Sequence, residues 1–222
     1  MPSTMITTED GSHSLLHQEL DETYHSIHGA IQESNHTFIV SGLQNINFDE
    51  KDTINVLEIG FGTGLNAFLT LLFSETKKHK INYTAIELFP LSVESACLLN
   101  YPDILAIDKK DAFYQLHTSP WNNLIKITPN FKIKKIQEDF TSMNLTGFYD
   151  MIYFDAFSPD KQPEMWTEDR FEMIYKQCNP NAILTTYCAK GSVRRALQSA
   201  SFTVERIPAA PGKREMLRAR KE

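Results

Sequence analysis

Apolar and polar positions fall into alternating blocks along this chain. INVLEIG (54–60) is a short apolar run closed by glycine, the pattern of a strand buried on both faces. LNAFLTLLFSETKK (65–78) follows, apolar nearly all round, and predicts a helix. INYTAIEL (81–88) predicts a second strand and PLSVESACLLN (90–100) a second helix. A mixed stretch over about 101–130 predicts a helical insertion. FKIKKIQED (131–139) alternates apolar with basic residues as a half-exposed strand does, and YDMIYFDAF (149–157) reads as a central strand. TEDRFEMIYKQC (167–178) predicts a helix opened by Thr167 with acids in its first turn. NAILTTYC (181–188), the helix KGSVRRALQSA (190–200) and two last strands, FTVERI (202–207) and EMLRAR (215–220), complete the order.

Strand and helix alternate throughout, which favours an α/β fold with a parallel sheet covered on both faces. The last two strands, separated by Pro208, Pro211 and Gly212, predict an antiparallel hairpin. A seven-stranded, mostly parallel sheet ending in such a hairpin is the architecture of Rossmann-like class I methyltransferase folds. At 222 residues the chain is expected to be one domain, with residues 1–53 forming an N-terminal lip.

Composition narrows the picture further. Cys97, Cys178 and Cys188 are widely spaced and form no CxxC, so they read as reduced structural thiols. The start MPSTMITTEDGSHS has neither the basic nor the apolar region of a signal peptide, and no apolar run reaches the ~18 residues of a membrane span. A soluble, cytoplasmic protein with no membrane partner is expected. The pairs His13/His17 and His25/His28 have helical spacing, but no carboxylate or Cys completes a ligand set, so no metal is expected. The net charge is -6, unevenly spread: the first fifty residues hold no Lys or Arg, whereas basic residues dominate from Lys190 onward. That asymmetry is read either as a solvated surface or as a local basic patch on an acidic protein.

Gly60, Gly62 and Gly64 fall between the first strand and the first helix, at the sheet edge where ligands bind in doubly wound folds. The spacing is GxGxG; a dinucleotide fingerprint would need Gly at 65, which is Leu. This turn is closer to those that wrap S-adenosylmethionine, although glycine turns also simply reverse chains. Acids end the next three strands. Glu87 is placed to accept hydrogen bonds from ribose hydroxyls, Asp139 to meet an adenine amino group, and Asp155 to stand beside the reacting centre. With Glu58 and Asn66 flanking the turn, and Tyr24, these residues make up the expected cofactor site.

GFGTGLN, DAFSPDKQPEMW and GKREML together resemble one family: the methyltransferase domain of MnmC, found alone as MnmD, which completes 5-methylaminomethyl-2-thiouridine at the tRNA wobble position. The likeness covers nearly the whole chain, including YHSIHGAIQESNHTFI, IELFPLS and VRRALQSASFTV. It implies methyl transfer from S-adenosylmethionine to the primary amine of 5-aminomethyl-2-thiouridine, with Asp155 facing that amine. In the bifunctional members a flavin oxidase domain follows and prepares that amine; this sequence stops at Glu222, so it is expected only to methylate, without FAD, with another enzyme supplying the aminomethyl group. The sequence departs from the family at Ala156, usually Gly, at Asp160, usually Ala, at Asn179-Pro180-Asn181, usually Pro-Gly-Gly, and in the final loop, APGKREM rather than FGRKREM.

The chemistry starts with loss of a proton from an alkylammonium. An ordinary Asp lies about six units below such a group, a cost of roughly 8 kcal/mol for direct transfer. On that basis Asp155 orients the amine and the proton leaves mainly to water. Lys161, Arg194, Arg195, Lys213 and Arg214 are the expected grips on anticodon-loop phosphates. Tyr24, Tyr187 and Phe157 are candidates to stack on the turned-out base, or core aromatics. Three other readings stay open: a small-molecule amine methyltransferase, a polyamine-type aminopropyltransferase, and a non-catalytic RNA-binding module.

Overall fold

The computed structural model describes residues 3–222, and of Glu50 only the backbone. The chain opens with a three-stranded antiparallel sheet of β1 (Ser3–Thr7), β2 (His13–His17) and β3 (Glu22–Thr23). This sheet was not expected, because its strands are short and polar and gain their partners only from one another. Helix α1 (Ala30–Ser34) runs on as a wider turn over Asn35–Val40, burying Phe38 and Ile39 against the main body.

The central sheet takes β4 (Thr53–Ile59), β5 (Lys80–Ile86), β6 (Leu124–Lys126), β7 (Phe131–Ile136), β8 (Tyr149–Phe154), β9 (Cys178–Thr186), β10 (Thr203–Pro208) and β11 (Glu215–Arg220). Its order is β10-β11-β9-β8-β4-β5-β7-β6. The five strands from β9 to β7 are parallel to one another, and β11 returns antiparallel onto β9 with β10 outside it, forming the expected hairpin. The described sheet therefore has eight strands rather than the seven expected. The extra one, β6, pairs antiparallel with β7 and comes from the stretch read as helical insertion, which also holds α4 (Tyr101–Leu105) and α5 (Lys110–Thr118).

Two other elements differ from the sequence pattern for local reasons. The helix expected over 90–100 is only α3 (Val93–Cys97), because the Ser92 hydroxyl caps it by accepting from the Ser95 amide at 3.2 Å. Strand β9 begins at Cys178 and runs through Pro180, where the pairing with β8 shifts register between Tyr149 and Met151. A proline has no amide to donate, and such an irregularity is where a strand tolerates one.

Helices α2 (Leu65–Lys77), α6 (Glu168–Lys176) and α7 (Gly191–Ser199) cover the sheet. Strand alternation divides the core. Val56, Met151 and Tyr153 pack with Phe68 of α2 on one face, whereas Leu57, Ile152 and Phe154 pack with Phe171 of α6 and Leu197 of α7 on the other. From β4 the chain proceeds outward to β5 and β7, then jumps back to β8 on the other flank. The point between β4 and β8 is thus the topological switch, where a crevice opens at the carboxyl ends of the strands.

Candidate active site

At that switch lies a cleft of about 690 Å³, within the range of small-ligand sites. Its floor is made by residues that follow β4, β5, β7 and β8. Tyr24 to His28 of the N-terminal arm form one wall, together with Gly212 and Lys213 from the β10–β11 turn.

The three glycines are crowded by the protein itself. A Cβ on Gly60 would lie 2.6 Å from the Asp155 carbonyl oxygen, one on Gly62 3.0 Å from the Tyr24 ring, and one on Gly64 2.7 Å from the His117 ring. Gly60 also adopts φ +92°, a region costly for any L side chain. The turn is therefore glycine-rich so that β4 and β8 can leave the sheet side by side, with the Gly60 amide donating to Ile86 O at 3.0 Å and the Asp155 amide to Ile59 O at 3.0 Å.

The strand-end acids reach the cleft. Glu87 accepts from the Gly62 amide at 3.0 Å and from the Phe89 amide at 2.9 Å, one bond on each oxygen, so each oxygen keeps a lone pair for a ligand. Asp139 accepts from the Thr141 amide and hydroxyl through Oδ1 alone. Asp155 accepts from Asn66 Nδ2 at 2.8 Å through Oδ2. Burial pushes the Asp155 carboxyl up to about 7, reinforced by the charge of Glu33 and opposed by the Asn66 hydrogen bond and by Lys213.

Three of the residues expected to hold a cofactor do not line the cleft. Glu58 is 0% exposed and Asn66 2%, both beneath the floor, and Gly64 faces His117. A side chain without exposed surface has no face to offer a ligand; Asn66 Nδ2 instead donates to Glu58 and to Asp155. Gly60, Gly62, Glu87, Asp139 and Tyr24 do line it. Tyr24 packs edge-on to Phe157 at 5.0 Å, and burial beside Glu87 raises its hydroxyl to about 12, so it stays neutral.

The basic residues divide in the same way. Lys161 is exposed on the rim of the cleft. Lys213, expected on phosphates, turns inward: Nζ donates to Glu33 Oε1 at 2.5 Å and lies 4.1 Å from the centre of the Tyr187 ring. Glu33 is held in turn by the Ser26 amide at 2.8 Å. Arg194, Arg195 and Arg214 do not line the cleft. Much of the C-terminal positive charge is matched locally, by the pairs Lys190–Asp160, Arg206–Glu215 and Arg218–Glu205. Asp160, one of the departures from the family pattern, thus has a partner thirty positions away.

Sequence reasoning missed two participants, both on the N-terminal arm. Glu33 anchors Lys213, and Glu22 accepts from the Ser158 amide at 3.2 Å and hydroxyl at 2.8 Å, tying the DAFSP loop to the arm. The concentration of acids in an arm without a single Lys or Arg was the available signal. The histidine pairs are not on helices. His13 and His17 lie in β2, His25 bonds Thr63 Oγ1 at 2.6 Å, and burial holds His25 neutral, down to about 4. Among the described residues no group of His, Cys, Asp or Glu is placed to hold a metal, and no helix is long and apolar enough to cross a membrane.

Comparison with known proteins adds a likeness over part of the chain. Residues 115–222 match the sequence model of a family described as S-adenosyl-L-methionine-dependent methyltransferase. The chain is 25% identical over 234 residues to the tRNA 5-methylaminomethyl-2-thiouridine biosynthesis bifunctional protein MnmC of Burkholderia multivorans, covering 98% of this chain and 34% of that one. It is 29% identical over 211 residues to the protein of the same name from Leptospira interrogans, covering 90% and 32%. The chain thus spans about a third of the length of these relatives. Among solved structures it is similar to MnmC2 from Aquifex aeolicus, with a TM-score of 0.79 and 26% identity over 98% of this chain and 70% of that one. Spermidine synthase from Thermotoga maritima shares the fold, with a TM-score of 0.50 at 13% identity, covering all of this chain and 72% of that one.

Proposed function

We propose that this chain, similar to S-adenosyl-L-methionine-dependent methyltransferases, methylates the primary amine of 5-aminomethyl-2-thiouridine at the wobble position of tRNA, giving 5-methylaminomethyl-2-thiouridine. The observation that carries this reading is Asp155, set by Asn66 at the floor of a cleft lined by eight carboxylates and two lysines. Such a lining favours cationic ligands, and both an aminomethyl group and a sulfonium are cations. The tRNA component rests on the likeness to the MnmC proteins.

The residues present fit the methyl donor. Glu87 keeps a lone pair on each oxygen at the second strand end, and Asp139 Oδ2 has no partner among the described residues. When bound, S-adenosylmethionine supplies an electrophilic methyl on a sulfonium. Asp155 does the rest of the chemistry. With its carboxyl at about 7, the gap to an alkylammonium near 10 is about three units, or roughly 4 kcal/mol. That is half the cost worked for an ordinary carboxylate. Asp155 therefore orients the amine, takes its proton and exposes the lone pair. Tyr24 and Phe157 flank the opening where the base enters, and Lys161 on the rim takes a backbone phosphate. On this reading the protein acts in the cytoplasm, on the anticodon loop of tRNA whose wobble uridine already carries the aminomethyl group.

An acid-lined cleft also suits a diamine, so aminopropyl transfer is the second reading. One experiment separates the two. Labelled S-adenosylmethionine is incubated with the protein and tRNA from cells lacking it, and the nucleosides are analysed. Conversion of 5-aminomethyl-2-thiouridine to its methylamino form, lost in Asp155→Ala that still binds S-adenosylmethionine, is the expected result. Inert tRNA, together with consumption of decarboxylated donor and a diamine, refutes it.

A further inference from the structure

Beneath the cleft floor, three polar side chains form a connected row. Glu58 on β4 and Asp155 after β8 face the same side of the sheet, on neighbouring strands, with Asn66 in the first turn of α2 above both. The Asn66 amide nitrogen has two hydrogens. One goes to Glu58 Oε1 at 3.0 Å and the other to Asp155 Oδ2 at 2.8 Å. Its donor capacity is thereby used up.

The acceptors are less well served. Among the described residues Glu58 Oε2 and Asn66 Oδ1 are both buried without a hydrogen-bond partner, and the Tyr83 hydroxyl beside Glu58 interacts with it without reaching hydrogen-bond geometry. An ionised carboxylate with one hydrogen bond, no exposed surface and another acid beyond the amide would be strongly disfavoured. A neutral Glu58 removes that charge and adds an O–H to a cluster that has more acceptors than donors. Burial, and then the charge of Asp155, hold the Glu58 carboxyl well above the usual carboxylate range in agreement.

We infer that Asn66 is a positioning residue for the acceptor amine: it fixes Asp155 by Oδ2, leaving Oδ1 for the amine, and Glu58 acts as a neutral anchor that holds the Asn66 amide in that orientation. The inference rests on the methyl-transfer reading for its kinetic consequence, but not for its electrostatic one. A hydrogen bond to the carboxylate favours the charged form of Asp155. It works against burial and against Glu33 on α1, and alongside Lys213 from the β10–β11 turn. The other titratable groups that face Asp155 are Glu58 on β4, Tyr83 on β5 and Tyr187 after β9, and all three are neutral near pH 7 because burial raises each of them.

The test has two readouts. In protein labelled with ¹³C-aspartate, with Asp155→Asn assigning the signal, Asn66→Ala and Asn66→Ser raise the titration midpoint of Asp155 by about one unit. In the methyl-transfer assay the same variants lower kcat at least tenfold while the Kd for S-adenosylmethionine changes less than threefold. Glu58→Leu reproduces both effects, and Glu58→Gln, which keeps the neutral shape, retains most of the rate that Glu58→Leu loses. An unmoved Asp155 midpoint in folded Asn66→Ala overturns the inference. So does donor affinity falling tenfold with kcat intact, which would make Asn66 a cofactor ligand. Equal damage from Glu58→Gln and Glu58→Leu would mean that Glu58 acts as an anion and overturns its part. If the wild type leaves tRNA unmethylated while the midpoint still moves, the acceptor assignment fails and the Asn66 inference stands.

Discussion

Replacing Gly60 by Ala separates two reasons a glycine is required. The first is conformation: φ +92° costs an L residue roughly 1–2 kcal/mol. The second is contact, since the new Cβ would meet the Asp155 carbonyl oxygen at 2.6 Å and its carbon at 3.1 Å. That carbonyl has nowhere to retreat, because the backbone on each side is tied into the sheet by the Asp155–Ile59 and Gly60–Ile86 bonds. Overpacking of this kind costs about 1–3 kcal/mol, for a total of roughly 3 kcal/mol. In a chain of this size that corresponds to a fall in Tm of roughly 6–12 °C. Gly11 provides the comparison. It has φ +82° and nothing within 4 Å of a built Cβ, so Gly11→Ala carries the conformational cost alone. Gly62→Ala meets only the edge of the Tyr24 ring, which can tilt, and it should fall near Gly11→Ala in stability while weakening donor binding. Thermal denaturation of the three variants, with calorimetry of S-adenosylmethionine binding, tests the set. If Gly60→Ala loses no more Tm than Gly11→Ala, the close approach of the two strand ends is not what demands glycine.

The remaining expectations concern charge. Asp155 has a folded pKa near 7 and an unfolded value near 3.9, so the native state holds the extra proton between those limits and stability falls as pH rises through them. Asp155→Asn should therefore be more stable than the wild type at pH 8, by at most about 4 kcal/mol, with the difference vanishing below pH 4; a constant difference in denaturant unfolding across that range refutes the shift. Lys213→Met should cost about 1–2 kcal/mol by leaving Glu33 without its cation, and the double variant with Glu33→Gln should cost less than the sum, read from urea unfolding in a double-mutant cycle. Lys161→Glu should weaken tRNA binding and lower the salt dependence by about one ion while leaving donor affinity alone, as measured by filter binding over a salt series.

Local pattern determined a large part of this protein. β8 is buried along its whole length and residues 56–59 of β4 on both faces, and such runs can be read without knowing their neighbours, while β5 buries alternate positions before Ala85 and Ile86. Because each strand ends where its apolar run ends, Gly60, Glu87 and Asp155 could be placed at the sheet edge by position alone, and a parallel sheet carries such edges to one crevice. Other features depend on partners far away in sequence, and no local pattern encodes those. β6 is a strand because β7 offers an open edge, and the N-terminal strands pair only with each other. Lys213 looks like one more surface cation in GKREML until α1 brings Glu33 to it across 180 positions. Asp155 is the sharpest case. Its location was legible, but its proton affinity was not, because burial, Asn66, Glu33 and Lys213 reach it from α2, α1 and the final hairpin. Desolvation and Coulomb energy depend on distances through space, and only the packed fold sets those distances.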